Sequence, residues 1–353
     1  MPITTTIPIQ HTAESRLPGL DINNLPFGTT PTDHLFIARY TAGEWAEARI
    51  EPFHQLTMSP FALCFHYGQT VFEGMKAFRM EDGNVSIFRL QKHHERFNRS
   101  LQRMNMPEVP YELFKEGMRQ LVGLDRQWVP SGKESALYIR PFMIATEERL
   151  KVKTSDEYLF LIVCTPVGHY YAQPVRVKVE TEFIRAADGG TGYAKCGGNY
   201  GGALLPTQRA MEAGYDQVLW TDAQNREFIE ESGTMNVLFL IDGILITPPL
   251  SSTILDGVTR DSILQLAQAR GIKVQERKIS IRELEAALQS DTRVEAFGAG
   301  TAAVVAPIES IAIGKKTYAC YVGEDAAMYS FKAELQAIRR GIAEDVWGWN
   351  EVV

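Results

Sequence analysis

A single lysine lies within the most glycine-dense stretch of the chain. The segment Gly189–Gly202 reads GGTGYAKCGGNYGG, in which seven of fourteen residues are glycine and Lys195 is the only lysine. Glycine allows positive φ values and lets the backbone approach a ligand closely. A lysine partly withdrawn from water there can supply a neutral amine, which forms a Schiff base with a carbonyl compound. A flexible surface loop with a hydrated lysine would show the same composition, and the spacing differs from the phosphate-binding loop G-x-x-x-x-G-K-[ST].

Two adjacent glutamates, Glu230 and Glu231, stand at the end of a predicted strand in the segment FIEESGTMN. Neighbouring side chains of a strand point to opposite faces, so only one of the two can face a given site. Schiff-base chemistry on pyridoxal phosphate requires a partner for the pyridinium nitrogen, and a carboxylate can serve. A pair of solvent-facing acids at a turn is the alternative for these residues.

Two turns of small residues could bind a phosphate through backbone amides. The sequence LDGVTRD precedes a helix predicted over Asp261–Arg270, with Thr259 as its expected N-cap and Gly257 permitting a close approach. The turn GAGTA offers the hydroxyl of Thr301. Ordinary capping and turn chemistry would account for the same residues.

Arginine is the other common partner of a phosphate. Arg96 and Arg99 lie on a basic helix predicted over Leu90–Met104, where a hydrated face is the alternative explanation. The neighbouring His93 and His94 have no third ligand at metal spacing, so we expect no metal site.

The elements around these residues form two blocks of mixed strands and helices. The first block has strands on either side of Thr41-Ala42-Gly43, a hairpin at Glu81-Asp82-Gly83, helices over Leu90–Met104 and Tyr111–Leu121, and strands over Ser135–Ile144 and Tyr158–Thr165. The second has strands over Val175–Arg185, Gln217–Thr221, Phe228–Ile229, Val237–Ile246, Val294–Phe297 and Ala302–Ala306, and helices over 200–213, 261–270 and 328–342. We therefore predict an α+β fold with a smaller domain at 1–168, a connection at 169–178 and a larger domain at 179–353.

The composition agrees with a two-domain globular enzyme. The length of 353 residues exceeds the size at which single cores stop growing, and 45% hydrophobic with 22% charged residues excludes a disordered chain. A net charge of −7 argues against a nucleic-acid partner, and four isolated cysteines against a disulfide framework. The apolar runs are too short to span a membrane, and the first residues do not resemble a signal peptide, so we expect a soluble, cytoplasmic protein.

Five motifs follow one another in a fixed order. They are Y-G-x-x-x-F-E-G-M-K-A-F, K-x-G-G-N-Y, E-x-G-T-M-N, D-G-V-T-R and F-G-x-G-T-A. Together they resemble fold-type IV pyridoxal-phosphate enzymes and, more closely, branched-chain amino acid aminotransferases of the longer, eukaryote-like subgroup, from about Leu25 to the last helix. The resemblance implies a D-amino acid aminotransferase-like fold with the active site in the interdomain cleft. It also implies a homodimer in which a loop of one subunit approaches the other's site.

The resemblance implies a role for each cofactor residue and selects Glu231 over Glu230 and Arg96 over Arg99. Pyridoxal 5′-phosphate would be bound by Lys195 through the Schiff base, Tyr200 at the phenolic oxygen, Glu231 at the pyridine nitrogen, and Arg96, Val258, Thr259 and Thr301 at the phosphate.

The substrate residues follow from the same resemblance. They are Phe27, Tyr67, Phe72, Tyr138 and Thr234 around the substrate side chain, Arg140 at the distal carboxylate of glutamate, and Ala302 at the α-carboxylate. An aromatic pocket suits leucine, isoleucine and valine because it offers apolar area with few groups that need hydrogen bonds. The implied activity is reversible amino transfer from these amino acids to 2-oxoglutarate, giving the branched 2-oxo acid and L-glutamate by a ping-pong mechanism. Without the resemblance, core packing would explain the aromatic residues.

The sequence departs from the family pattern at two places. Ala303 and Ala306 stand where mammalian members have a cysteine pair, so we expect no thiol–disulfide switch. The segment Glu147–Lys153 is more charged than we expect for a loop that reaches a partner's active site. Whether Val152 makes a dimer contact therefore stays an open question. Two alternatives remain: another fold-type IV activity, such as D-amino acid transamination or aminodeoxychorismate lyase, and a cofactor-free binding protein on the same fold.

Overall fold

The computed structural model describes residues 7–168 and 173–353. These residues form two compact units. Unit 1 comprises the described residues of Met1–Tyr170 with Ala194–Gly198 and Ala337–Val353, and unit 2 those of Tyr171–Tyr193 and Asn199–Gln336. The short segment Ala194–Gly198 groups with unit 1 because it is hydrogen-bonded to residues 70–72 of that unit. The boundaries predicted from the sequence stay a prediction, and residues 169–172 of the predicted connection lie outside the described residues.

The described residues contain seventeen strands and eight α-helices. In chain order they are β1 (His34–Thr41), β2 (Glu44–Pro52), α1 (Leu63–Tyr67), β3 (Thr70–Phe72), β4 (Met75–Arg79), β5 (Val85–Phe88), α2 (Leu90–Arg103), α3 (Tyr111–Leu124), β6 (Ala136–Ala145), β7 (Tyr158–Val167), β8 (Val175–Glu180), α4 (Gly198–Gly201), α5 (Leu204–Glu212), β9 (Gln217–Thr221), β10 (Ile229–Ser232), β11 (Met235–Ile241), β12 (Ile244–Thr247), α6 (Val258–Ala269), β13 (Lys273–Glu276), α7 (Ile281–Gln289), β14 (Val294–Gly300), β15 (Val304–Ile313), β16 (Lys316–Ala319), α8 (Ala327–Arg339) and β17 (Asn350–Val352).

Unit 1 is built on an antiparallel sheet that has eight strands in the described part of the chain. Its order is β17-β5-β4-β6-β7-β1-β2, with β3 paired to β6. The rings of Phe97 on α2, Phe114 on α3 and Phe160 on β7 are fully buried, with centroids 5.6–6.0 Å apart. Burial of each such ring stabilises the fold by about 1.5–3 kcal/mol, so this cluster fixes both helices to the sheet.

Unit 2 contains a mixed sheet, with nine strands among the described residues. Its order is β10-β9-β8-β15-β14-β11-β12-β13, with β16 paired to β15. β8 runs parallel to both β9 and β15, and β13 runs parallel to β12. Val177, Phe239, Ala296 and Ile308 from four strands pack with Leu284 of α7 in one buried cluster. Each unit combines one β-sheet with α-helices, which confirms the predicted α+β class.

Several predicted elements have different bounds in the structure. The helix predicted over 200–213 is divided into α4 and α5, because Pro206 has no N–H to donate and therefore fits only the first turn of α5. The strand predicted over Val175–Arg185 ends at Glu180, whose carboxylate accepts the backbone N–H groups of Glu182 and Phe183 and turns the chain.

Two further differences lie beside predicted site residues. The helix predicted from Asp261 begins at Val258 with Gly257 as its N-cap, so Thr259 is not the N-cap but lies in the first turn. The strand predicted over Ala302–Ala306 begins at Val304, and the preceding three residues form the turn from β14.

The sequence patterns missed α1, α7, β13, β16 and β17. The two strands β13 and β16 are polar and largely exposed, so they lack the alternation that marks a half-buried strand. α7 did carry a signal, because Ser280 precedes it and accepts the backbone N–H of Glu283 in a capping interaction. Among the described helices, none combines the length and apolar character needed to cross a bilayer.

Candidate active site

A buried ion pair connects α2 to the segment before β4. Arg96 donates from Nε to Glu73 Oε1 at 2.7 Å and from Nη2 to Oε2 at 2.8 Å. Glu73 is fully buried and Arg96 nearly so. Burial alone would raise the pKa of Glu73, but the charge and hydrogen bonds of Arg96, helped by His93, hold it well below its usual range. Glu73 is therefore a carboxylate that fixes the plane of the Arg96 guanidinium.

His93 completes this group from the same face of α2. Its Nδ1 lies 2.9 Å from Glu73 Oε2. Burial lowers the pKa of His93, the hydrogen bond to Glu73 opposes this, and the charges of Arg96 and Lys195 lower it further. Because Glu73 is ionised and can only accept, the neutral imidazole donates from Nδ1.

Lys195 is held through its backbone within unit 1. Its N–H donates to Ser100 Oγ at 2.9 Å, and its carbonyl accepts the N–H of Phe72 at 3.0 Å. Lys195 Nζ lies 5.0 Å from the centroid of the Phe72 ring. Two residues on, a Cβ at Gly197 would lie 2.4 Å from Thr70 Oγ1, so glycine is required there for the close approach to β3. The glycine-dense stretch is therefore packed here rather than a free loop.

Four of the predicted substrate residues meet in unit 1. The rings of Phe27 and Tyr138 pack edge to face with centroids 5.1 Å apart. Arg140 Nη2 donates to the Tyr138 hydroxyl at 2.9 Å, and the guanidinium lies 4.6 Å from the centroid of the Phe72 ring. Tyr67, a fifth predicted residue, is partly exposed at the end of α1. The cluster offers aromatic surface beside the guanidinium of Arg140.

Glu231 lies in a densely hydrogen-bonded position of unit 2. Its Oε1 accepts the side-chain amide of Asn236 and the backbone N–H of Leu255, each at 3.0 Å. Its Oε2 lies 2.8 Å from Nε of Arg185. The pairing of β10 with β11 places Glu231 opposite Asn236, so strand register creates the first of these contacts.

Glu230 has different partners, as expected for neighbours on a strand. Its Oε1 accepts the hydroxyl of Thr253 at 2.6 Å. Burial raises the pKa of Glu230, although the Thr253 hydrogen bond and the charge of Arg185 act against this. The two glutamates therefore differ in charge environment, and only Glu231 has a guanidinium in contact.

The remaining predicted residues of unit 2 lie in the helices α4 and α6 and in two turns. Val258 and Thr259 form the first turn of α6, where backbone N–H groups have no partner within the helix and can bind an anion. A Cβ at Gly257 would lie 1.8 Å from Asn236 Oδ1, so this helix start approaches the residue that contacts Glu231. The others are Tyr200 on α4, Thr234 in the turn between β10 and β11, and Thr301 and Ala302 in the turn after β14.

Sequence reasoning missed Glu73, Ser100, Arg185 and Asn236. A signal existed for the α2 residues, because Arg96 and Ser100 recur at helical spacing on the face that buries Phe97. A charged residue on such a face needs a buried partner.

The family model described as amino-transferase class IV matches residues 70–311 of the chain. This chain belongs to that family. The match contains every residue that the sequence analysis predicts to bind the cofactor.

Curated relatives and solved structures agree with this result. The chain is 42% identical to branched-chain-amino-acid aminotransferase 2 of Bacillus subtilis (strain 168), over 99% of this chain and 97% of that protein. It is 48% identical to branched-chain-amino-acid transaminase 1 of the same organism, over 84% of this chain and 85% of that protein. The crystal structure of the Escherichia coli branched-chain amino acid aminotransferase matches with a TM-score of 0.73 and 26% identity, covering 90% of this chain and 98% of that chain.

Enzymes of this family are pyridoxal-phosphate-dependent, so the protein is an aminotransferase that uses this cofactor. The fold-type IV resemblance and the enzyme class predicted from the sequence are thereby confirmed. The described residues fit the cofactor by chemistry, since they provide an amine, a buried carboxylate, a buried guanidinium and the first turn of a twelve-residue helix. These are Lys195, Glu231, Arg96 and the start of α6.

Proposed function

We propose that the protein transfers the amino group of L-leucine, L-isoleucine or L-valine reversibly to 2-oxoglutarate, giving the branched 2-oxo acid and L-glutamate by a ping-pong mechanism. The observation that carries this proposal is the cluster of Phe27, Phe72, Tyr138 and Arg140. Its aromatic surface suits an aliphatic side chain, and its guanidinium suits the distal carboxylate of glutamate. The names of the relatives support the same substrates.

Lys195 is the proposed catalytic residue. Its amine would bind the cofactor covalently and then, once released, move the proton from the substrate Cα. When bound, the cofactor supplies an electron sink for the electron pair left at Cα. Glu231 would hold the protonated ring nitrogen, and Tyr200 the phenolic oxygen.

The other proposed contacts divide into phosphate and substrate groups. Arg96, Thr259 and Thr301, with the backbone of Val258, would bind the phosphate. The substrate α-carboxylate would accept a hydrogen bond from the backbone amide of Ala302. Tyr67 and Thr234 would border the substrate side chain, together with the aromatic cluster of unit 1.

We further propose a cytoplasmic homodimer. Phe61, Phe65, Leu150 and Val152 are exposed apolar residues of unit 1, and the Ala62–Glu148 bridge joins the two segments that carry them. Val152 is 78% exposed, and a group of exposed apolar side chains of this kind is typical of a surface that a partner covers. The four cysteines, all within the described residues, are free thiols, which suits a reducing compartment.

The experiment is an assay of glutamate formation from 2-oxoglutarate with L-leucine and, separately, with D-alanine. The wild type should use L-leucine, Lys195→Ala should lose turnover and cofactor attachment, and the exposed-lysine control Lys315→Ala should keep both. Activity with D-alanine alone would replace the branched-chain substrates by D-amino acids. A protein that cannot be reconstituted with pyridoxal phosphate would contradict the whole proposal.

A further inference from the structure

Arg185 joins three separate segments of unit 2. Its Nε lies 2.8 Å from Glu231 Oε2, and its side chain is 10% exposed. Its Nη2 donates to the carbonyl oxygen of Gly192 at 2.9 Å and to that of Thr253. The guanidinium is thus anchored by two backbone carbonyls while its Nε edge faces the carboxylate.

Glu231 needs such a partner because its side chain is only 4% exposed. Moving a carboxylate out of water is strongly unfavourable unless an opposite charge and hydrogen bonds replace the lost hydration. Asn236 and Leu255 supply two neutral donors, both to Oε1. Arg185 supplies the positive charge, and it does so on Oε2.

The neighbouring Glu230 shows what the position is like without a guanidinium in contact. It is also buried, its Oε1 accepts a hydrogen bond from the hydroxyl of Thr253, and burial raises its pKa. Of these two adjacent glutamates of one strand, Glu231 is the one with the Arg185 guanidinium in contact, so the charge next to the two carboxylates differs.

We propose that Arg185 is a positioning residue that keeps Glu231 ionised and oriented toward the ring nitrogen of the cofactor. This inference rests on the proposed role of Glu231. The planar fork of arginine is essential to it, because one side chain must reach Glu231 and both carbonyls at once. Lysine could replace the charge but could not reproduce the three contacts.

The anchoring carbonyls are themselves held in place by close packing. A Cβ at Gly192 would lie 2.7 Å from Thr253 Cα and 2.6 Å from Ala186 Cβ, so the two loops touch where Arg185 binds both. The orientation of the guanidinium is therefore set by the backbone, which is what a positioning residue requires.

The test compares the affinity of the apoprotein for two ligands by fluorescence titration. One is pyridoxal phosphate, and the other is its analogue with carbon in place of the ring nitrogen. Arg185→Gln should weaken the binding of pyridoxal phosphate at least about tenfold more than it weakens the binding of the carbon analogue. The reason is that the charge-assisted hydrogen bond between Glu231 and the ring nitrogen, which only pyridoxal phosphate can make, is lost. Arg185→Lys should fall between the wild type and Arg185→Gln.

Three comparisons make the test decisive. In a Glu231→Gln background, adding Arg185→Gln should not change the ratio of the two affinities further, because the residues act as a unit. Arg176→Gln, which removes an exposed arginine paired with Asp216, should leave the ratio unchanged. If circular dichroism shows that Arg185→Gln is unfolded, the comparison is made with Arg185→Lys alone.

If Arg185→Gln weakens the binding of both ligands equally, the role of Arg185 is merely structural and the inference is overturned. If the wild type binds pyridoxal phosphate but neither Arg185→Gln nor Arg185→Lys changes the ratio of the two affinities, the inference about Arg185 fails and the proposed function stands. If the wild type binds neither ligand, the proposed function fails and the inference with it.

Discussion

The backbone N–H of Lys195 donates a hydrogen bond of 2.9 Å to the hydroxyl of Ser100. The same hydroxyl donates to the carbonyl oxygen of Arg96, one turn earlier on α2, at 2.9 Å. Ser100 is fully buried. One side chain therefore connects the backbone of the proposed catalytic lysine to the helix that carries the proposed phosphate-binding arginine.

Replacement of Ser100 by alanine should lower the free energy of unfolding by about 1–3 kcal/mol, because a buried N–H loses its acceptor. It should also weaken binding of pyridoxal phosphate. The measurements are urea unfolding of the apoprotein and a cofactor titration. Ser131→Ala, at an exposed position, is the control. Unchanged values for Ser100→Ala would show that the bond does not hold Lys195.

Replacement of Glu73 by glutamine should destabilise the protein by about 3–5 kcal/mol, because Arg96 would be left as a buried charge without its carboxylate. Glu47→Gln, which affects exposed ion pairs with Arg39 and Arg49, should cost less than about 1 kcal/mol. Denaturant unfolding near neutral pH measures both. Similar values for the two variants would contradict the importance of the buried pair.

The Glu73 contribution should also depend on pH. The folded-state pKa of Glu73 lies below the ordinary value of 4.5, so its stabilising effect is complete above pH 4.5 and is lost as the pH falls further toward the folded-state value. The stability difference between wild type and Glu73→Gln should therefore be constant above that pH and shrink on acidification. A difference that grows on acidification would contradict the assignment.

Two glycines of the same dense segment should respond differently to alanine. At Gly192 a Cβ would lie 2.7 Å from backbone atoms of Thr253, so Gly192→Ala should destabilise by about 1–3 kcal/mol. At Gly201 nothing lies within 4 Å of the added atom, so Gly201→Ala should be tolerated. Thermal unfolding of both variants checks this. Equal effects would mean that the segment is not packed as described.

Arg140 should separate the two substrates that share the proposed pocket. Arg140→Gln should lower kcat/KM for 2-oxoglutarate about tenfold or more, because a charge-assisted contact to the distal carboxylate is lost. The value for L-leucine, which has no second carboxylate, should fall much less. Arg282→Gln, exposed on α7, is the control. Equal losses for both substrates would indicate that Arg140 only supports the aromatic rings.

Features that depend on neighbouring residues could be predicted from the sequence. The hairpin turn at Asp82-Gly83 and the helix predicted over Leu90–Met104 follow from local backbone preferences, and the structure contains both. The ordered motifs indicated the family, which the comparisons confirm, and predicted the role of Lys195, because they are long strings of contiguous residues. Alternation on β10 also predicted that Glu230 and Glu231 have separate surroundings.

The pairing of the buried charges could not be predicted from the sequence and follows from the three-dimensional fold. Glu73 and Arg96 are 23 residues apart, and no local pattern joins them. Arg185 and Glu231 meet because the chain after β8 passes the end of β10, which depends on the pairing of the strands. Sequence periodicity shows that a polar residue lies on a buried face, but its partner comes from a distant segment. The low-dielectric interior then makes that pairing obligatory.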